Sequence, residues 1–156
     1  MSYYKNQEID FVNRTKTIIE QYEKSIITEK EKYDTTLFLN CLVGLLILPQ
    51  QHWFLSLPTE LISKKEWGIH PNHVSSIKEG ETKNVKSIAT HLRNSIAHYN
   101  FKAFDSSLRQ ISRIKFWDKD IKKDIITFEA SIPLLNLRQF TTKLTETFIS
   151  EMNKQK

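Results

Sequence analysis

Apolar residues recur along this chain at two spacings, one helical and one alternating. Between 6 and 30, Ile9, Val12, Ile19, Tyr22 and Ile26 fall near one face, with Arg14, Glu20 and Lys24 elsewhere; this predicts an amphipathic helix. Asp34 is placed to cap a second helix over 35–48, which Pro49 ends. From Leu37, Phe38 and Leu39 through Leu42 and Val43 to Leu48 that helix is apolar nearly all round, so it is expected to be the most buried element. Gly44 within it would let a neighbouring helix approach closely. A third helix is expected over 83–101, with Val85, Ile88, Ala89, Leu92, Ile96 and Tyr99 as its buried stripe. The last helix, about 136–152, begins where Asn136 and Gln139 resemble a capping box, and buries Leu137, Phe140, Leu144, Phe148 and Met152.

The alternating pattern is confined to the last third. Ile114 and Phe116 alternate with Arg113 and Lys115, and Ile126, Phe128, Ala130 and Ile132 alternate with polar residues. Together they predict a small β-hairpin, about 111–133, after a helix tail or turn at 103–110. The charged run from Asp118 to Asp124 would be its connection. Residues 50–83 are the least regular, punctuated by Pro58, Gly68, Pro71 and Gly80, with a short helix expected at 58–65. Trp53, Phe54, Leu57 and Trp67 suggest that this excursion folds back onto the body. With three glycines and four prolines the chain is poor in turn formers, which favours helices over a many-stranded barrel. The expected architecture is therefore mainly α in one domain over 1–156, with a small β-hairpin before the C-terminal helix.

Composition narrows the class further. A formal net charge of +5 favours acidic partners, nucleic acid first among them. The single cysteine, Cys41, sits in an apolar run and reads as a small buried hydrophobe; a reducing cytoplasm is the expected compartment. The first residues lack an apolar signal core, and the longest apolar stretch, 37–48, contains Asn40 and is too short to span a bilayer. No membrane association is expected.

Chemistry concentrates in the run His91-Leu92-Arg93-Asn94-Ser95-Ile96-Ala97-His98-Tyr99-Asn100. Arginine supplies a permanent charge and a rigid fork of donors, and histidine titrates nearest neutrality. Together they can hold a phosphate and move a proton beside it. Asn94 and His98 lie one above the other on the face opposite the apolar stripe, with His91 near them. Arg93 lies about 140° around the helix from His98. Its side chain must reach around the flank to share a site, or the site draws on more than one chain.

Other groupings carry less. His70 and His73, with His52 and His91 elsewhere, lack the partners of a zinc site and read as polar loop. Asp118, Asp120 and Asp124 alternate with lysines, lack the glycine and terminal glutamate of a calcium loop, and read as a solvated turn. No metal or cofactor is expected. Arg109, Arg113 and Lys115, with Lys119, Lys122 and Lys123, are either an ordinary charged hairpin face or a holder of RNA backbone. Trp53, Trp67 and Trp117 could stack bases, though core packing suits the first two better.

The run Leu92-Arg93-Asn94-Ser95-Ile96-Ala97-His98 resembles the R-x-x-x-x-H signature of the HEPN superfamily, whose arginine is commonly followed by a polar residue such as Asn94. The segment 40–49, from Asn40-Cys41-Leu42 to Pro49, is similar to the central helix of a bacterial, mobile-element-associated branch of HEPN nucleases. Phe116, Phe128-Glu129-Ala130 and Leu137-Arg138-Gln139-Phe140 are similar to the tail of that branch. The resemblance runs from about residue 8 to 150. It implies a HEPN-like bundle of four to five helices and a metal-independent endoribonuclease, in which the RNA 2′-hydroxyl attacks the adjacent phosphodiester. Arg93, Asn94 and His98 would be catalytic. Arg109, Arg113 and Lys115 would bind substrate. It further implies a homodimer with a composite site, a toxin or anti-phage role, and an antitoxin or regulatory protein as a possible partner. The rivals are a non-catalytic RNA- or nucleotide-binding module and a regulatory interaction protein that uses the same helix as an interface.

Overall fold

A computed structural model describes residues 7–25, 34–47, 51–105 and 111–154. The predicted stripes appear as α1 (Gln7–Glu23), α2 (Asp34–Ile47), α4 (Val85–Ala97) and α5 (Leu134–Lys154), with a short α3 (Gln51–Leu55) between α2 and α4. The strands are β1 (Val74–Ile77), β2 (Phe101–Asp105), β3 (Ile111–Asp120) and β4 (Ile125–Pro133). They form one antiparallel sheet in the order β1-β4-β3-β2. The expected end of the first helix at 26–30 and of the second at 48 lies outside the described residues.

The expectation of a mainly α bundle with a small hairpin is corrected by this sheet: the fold is mixed α/β. The β3–β4 hairpin is present where the alternation placed it, but it is the centre of four strands. Both edge strands escaped the pattern for a physical reason. Val74-Ser75-Ser76-Ile77 is too short to show a period, and Phe101-Lys102-Ala103-Phe104 continues directly from an apolar helical stripe. The turn between them and that stripe is a backbone feature. α4 stops at Ala97, and Tyr99 takes a left-handed φ of 56°. Tyr99 N–H donates to the Ile96 carbonyl and Asn100 N–H to that of Ser95, the paired bonds of a Schellman cap. Tyr99 is consequently 80% exposed and leaves the buried stripe to which periodicity assigned it.

α4 and α5 pack on one face of the sheet, and α1 and α2 pack against those helices. The core joins Ile114, Phe116, Phe128, Ala130 and Ile132 of the sheet to Ile88, Leu92, Leu137, Phe140, Leu144 and Phe148. Burial of such side chains contributes about 1.5–3 kcal/mol each. α2 is not buried all round, because Leu42, Leu45 and Leu46 face inward while Val43 and Ile47 are exposed. Gly44 does allow close approach: a Cβ there would lie 2.9 Å from the Phe11 ring of α1. Cys41 is buried, as are Trp53, Phe54, Leu57 and Trp67.

The helix expected at 58–65 is absent. Its backbone pairs instead with the approach to α4: Ile62 N–H donates to Lys83 C=O, Val85 N–H to Glu60 C=O, and Lys86 N–H to Pro58 C=O. A 3₁₀ turn follows at Lys65–Trp67. Nor do Asn136 and Gln139 form a capping box for the last helix, which starts at Leu134. Their amides reach back and donate to the carbonyls of Gly68 (2.6 Å) and Lys65 (2.9 Å), pinning that turn to α5.

Candidate functional site

α4 presents His91, Asn94 and His98 along one line, at steps of three and four residues. Packing of Val85, Ile88, Ala89, Leu92 and Ile96 into the core fixes that line toward the end of the sheet and the loop before the helix. Asn84 caps the helix, its Oδ1 accepting from Ser87 N–H.

His91 is the centre of the arrangement. Its ring is buried and stacks on Phe128, with centroids 4.7 Å apart and planes 4° from parallel. Nδ1 lies 2.8 Å from Asp118 Oδ2, and Nε2 lies 2.9 Å from Glu81 Oε2. Ionised carboxylates can only accept, so while both are ionised this geometry favours the imidazolium, in which both ring nitrogens donate. Burial alone would push its pKa down. The hydrogen bonds and charges of Asp118 and Glu81 outweigh that and hold it above the ordinary value. Burial would likewise raise both carboxyls, but the bonds from His91 and Asn94 hold Asp118 low, and those from Ser87 and His91 hold Glu81 low.

Asp118 is a correction to the sequence reading, which put it in a solvated connection. It belongs to β3, on the inward face that Ile114 and Phe116 define, and is 6% exposed. At the register shift between Asp118 and Lys119, the Lys119 N–H donates to Asp118 Oδ1 (2.9 Å). The period-two count from Ile114 was the available signal; it was obscured because an aspartate at an inward position looks like the start of the charged turn.

Asn94 ties the motif to this buried pair. Its Nδ2 donates to Asp118 Oδ2 (3.0 Å), and its Oδ1 accepts from Arg93 Nη2 (3.4 Å). Arg93 lies on the flank of α4, its guanidinium 5.2 Å from the Phe54 ring centre of α3. His98 is the C-cap residue and is exposed; its N–H donates to Asn94 C=O (3.0 Å). Thus Arg93, Asn94, Asp118, His91 and Glu81 form one hydrogen-bonded chain, and His98 stands at the solvent end of the same helix line.

The substrate-binding residues expected on the hairpin lie elsewhere. Arg113 and Lys115 alternate with the buried Ile114 and Phe116, so they project from the face of the sheet opposite α4. Lys115 pairs there with Glu129 at 2.9 Å. Arg109 falls outside the described residues. His70 and His73 serve the 3₁₀ turn Pro71–His73: His70 Nδ1 accepts from Asn72 N–H and His73 Nδ1 from His70 N–H. Asp120 keeps its expected turn role, its Oδ1 accepting from Lys122 N–H.

A polar groove of about 470 Å³ opens over the His91 network. Ser87, His91 and Asn94 line it from α4, Lys78 and Glu81 from the preceding loop, and Lys119 from β3. Lys78, Lys86 and Lys119 face the cleft together with Glu81, Asp118 and Asp120, so its charged lining is mixed and its donors are concentrated on α4. Among the described residues, no helix is long and apolar enough to cross a membrane.

Comparison with curated proteins and with solved structures finds no match. A family model described as HEPN pEK499 p136 matches residues 1–155, a span that includes the Arg93–His98 run and the network behind it. On that match over the whole of the described fold, the chain belongs to the HEPN pEK499 p136 family.

Proposed function

We propose that the chain is a metal-independent endoribonuclease that acts as a homodimer. The observation that carries this reading is the Arg93–His98 run on α4, which resembles the HEPN R-x-x-x-x-H signature, with His98 exposed at the helix end and Arg93 held by Asn94. In the proposed reaction the RNA 2′-oxygen bonds to phosphorus as the bond to the 5′-oxygen breaks. One histidine takes the 2′-hydroxyl proton and another gives a proton to the departing 5′-oxygen. Two copies of His98 facing each other would supply both, each worth about 10²–10⁴-fold. Arg93 would neutralise charge growing on the phosphoryl oxygens. Asn94 would hold Arg93 in place, consistent with its own anchorage to Asp118. Arg113 and Lys115, on the sheet face away from α4, would reach RNA only beyond the cleavage site, with salt-sensitive affinity.

A toxin or host-defence role, restrained by an antitoxin or regulatory protein, fits the mobile-element branch that the sequence resembles. The test is to incubate the purified protein with structured and unstructured RNA in chelator. Fragments with 2′,3′-cyclic phosphate and 5′-hydroxyl ends are expected, and His98→Ala should cut at least 100-fold more slowly. Intact RNA from a folded protein, or equal cutting by His98→Ala, would reject the catalytic assignment. Binding without cleavage would favour a non-catalytic RNA-binding module.

A further inference from the structure

The groove over His91 takes no part in the proposed bond-breaking step, yet it is built for a particular charge. Its fixed part is deep. Asp118 and Phe128 hold the His91 ring from behind, leaving Nε2–H aimed toward the groove. Beside it stands the Ser87 hydroxyl on the first turn of α4. Its outer part is Glu81. That residue is exposed and follows Gly80, whose φ is 82° and where a Cβ would meet nothing within 4 Å. A single oxygen, Glu81 Oε2, accepts from both His91 Nε2 (2.9 Å) and Ser87 Oγ (2.8 Å).

A non-bridging oxygen of a phosphodiester matches what Glu81 Oε2 supplies. It carries the same single negative charge and can accept the same two donors. Exchanging one for the other leaves no buried donor unpaired, which is the usual obstacle to opening such a network. The exposed carboxylate regains its hydration when it swings out. Lys78, Lys86 and Lys119 line the groove and attract a diester as they would not a neutral ligand, against the repulsion of Asp120, which lines it too.

We propose that this groove is a phosphate subsite in which a backbone phosphate of single-stranded RNA displaces the Glu81 carboxylate from His91 and Ser87. Assigning the phosphate to RNA rests on the ribonuclease reading above. His91 and His98 share one line on α4, and seven residues at 1.5 Å rise put them about 10 Å apart. A strand that places its scissile phosphate at His98 and follows the α4 line toward His91 would bring another of its phosphates over the groove. Glu81 acts as a placeholder that keeps the imidazolium paired until substrate arrives.

The test titrates inorganic phosphate into the full chain at pH 6 and fixed ionic strength, following the His91 ring signals by NMR. Glu81→Ala, Ser87→Ala and His98→Ala are compared after circular dichroism shows each folded. The expected result is a saturable shift at His91 that is at least fivefold tighter in Glu81→Ala, where the competitor is gone. It should be at least threefold weaker in Ser87→Ala and unchanged in His98→Ala. A shift no larger than chloride produces, or no tightening in Glu81→Ala, overturns the subsite. A second arm measures binding of an oligonucleotide with 2′-O-methyl sugars, which cannot be cut by 2′-oxygen attack. Ser87→Ala and Lys78→Ala should each weaken it. If both leave it unchanged while inorganic phosphate still binds, the groove serves free phosphate and the RNA assignment is overturned. Failure of the ribonuclease reading looks different: wild-type protein binds phosphate at His91 yet leaves unmodified RNA uncut.

Discussion

At the scale of single residues, the controlling fact is that one histidine is held between two carboxylates. Asp118 is the buried partner and Glu81 the exposed one, so their loss should differ. Asp118→Asn removes the inner charge and leaves one acceptor oxygen where two are used, so Lys119 N–H and the His91–Asn94 pair cannot both keep their acceptor. It is expected to lower the unfolding free energy by about 1–3 kcal/mol in chemical denaturation. Stability should also follow pH through this group. The His91 pKa is raised on folding, so its contribution is complete below the unfolded value near 6.5 and is lost as pH rises through the folded value. Asp118 and Glu81 are lowered, so theirs is present above about pH 4 and is lost as pH falls through their folded values. Melting temperatures from pH 5.5 to 9 should therefore decline more steeply in wild type than in His91→Gln. Parallel curves would contradict the charged state assigned to His91.

At the scale of elements, short-range pattern and long-range contact disagree in informative places. The 3₁₀ turn at Lys65–Trp67 ends at Gly68, whose φ is 75°. A Cβ there would lie 2.8 Å from the Asn136 carbonyl oxygen and 2.8 Å from Gln139 Cβ. Gly68→Ala combines a left-handed backbone with a clash against the rigid start of α5. It is expected to cost about 2–4 kcal/mol, seen as a lower urea midpoint with an unchanged slope. Substitution of Gly80, which faces open space, should cost less than Gly68→Ala in the same measurement. The Schellman cap at Tyr99 is the other such place. It turns the chain from α4 into β2 within three residues, and so ends the motif helix at Ala97 with His98 as its C-cap.

At the scale of the whole molecule, Arg93 sits on the flank of α4 against Phe54, off the line of His91, Asn94 and His98. On the proposed function, a second copy completes the site that Arg93 and His98 share. Sedimentation should give twice the chain mass of 18.4 kDa. Because the proposed step uses both copies of His98, a proven mixed dimer of wild-type and His98→Ala protomers should cut at least about 100-fold more slowly than the wild-type dimer. About half of the wild-type rate in that mixed dimer would mean that each chain holds its own complete site. By itself the sequence determined the long helices, the central hairpin and the Arg93-Asn94-His98 run, because amphipathic stripes and a fixed motif spacing are local properties of the chain. It placed His91 beside Asn94 but gave it no role. Only the tertiary structure decided the edge strands, the inward place of Asp118, the use of Asn136 and Gln139 to pin a distant turn, and the meeting of Glu81, His91 and Asp118. Those depend on partners 6 to 74 residues away along the chain, and residue type and spacing carry no record of which distant group will satisfy a buried charge.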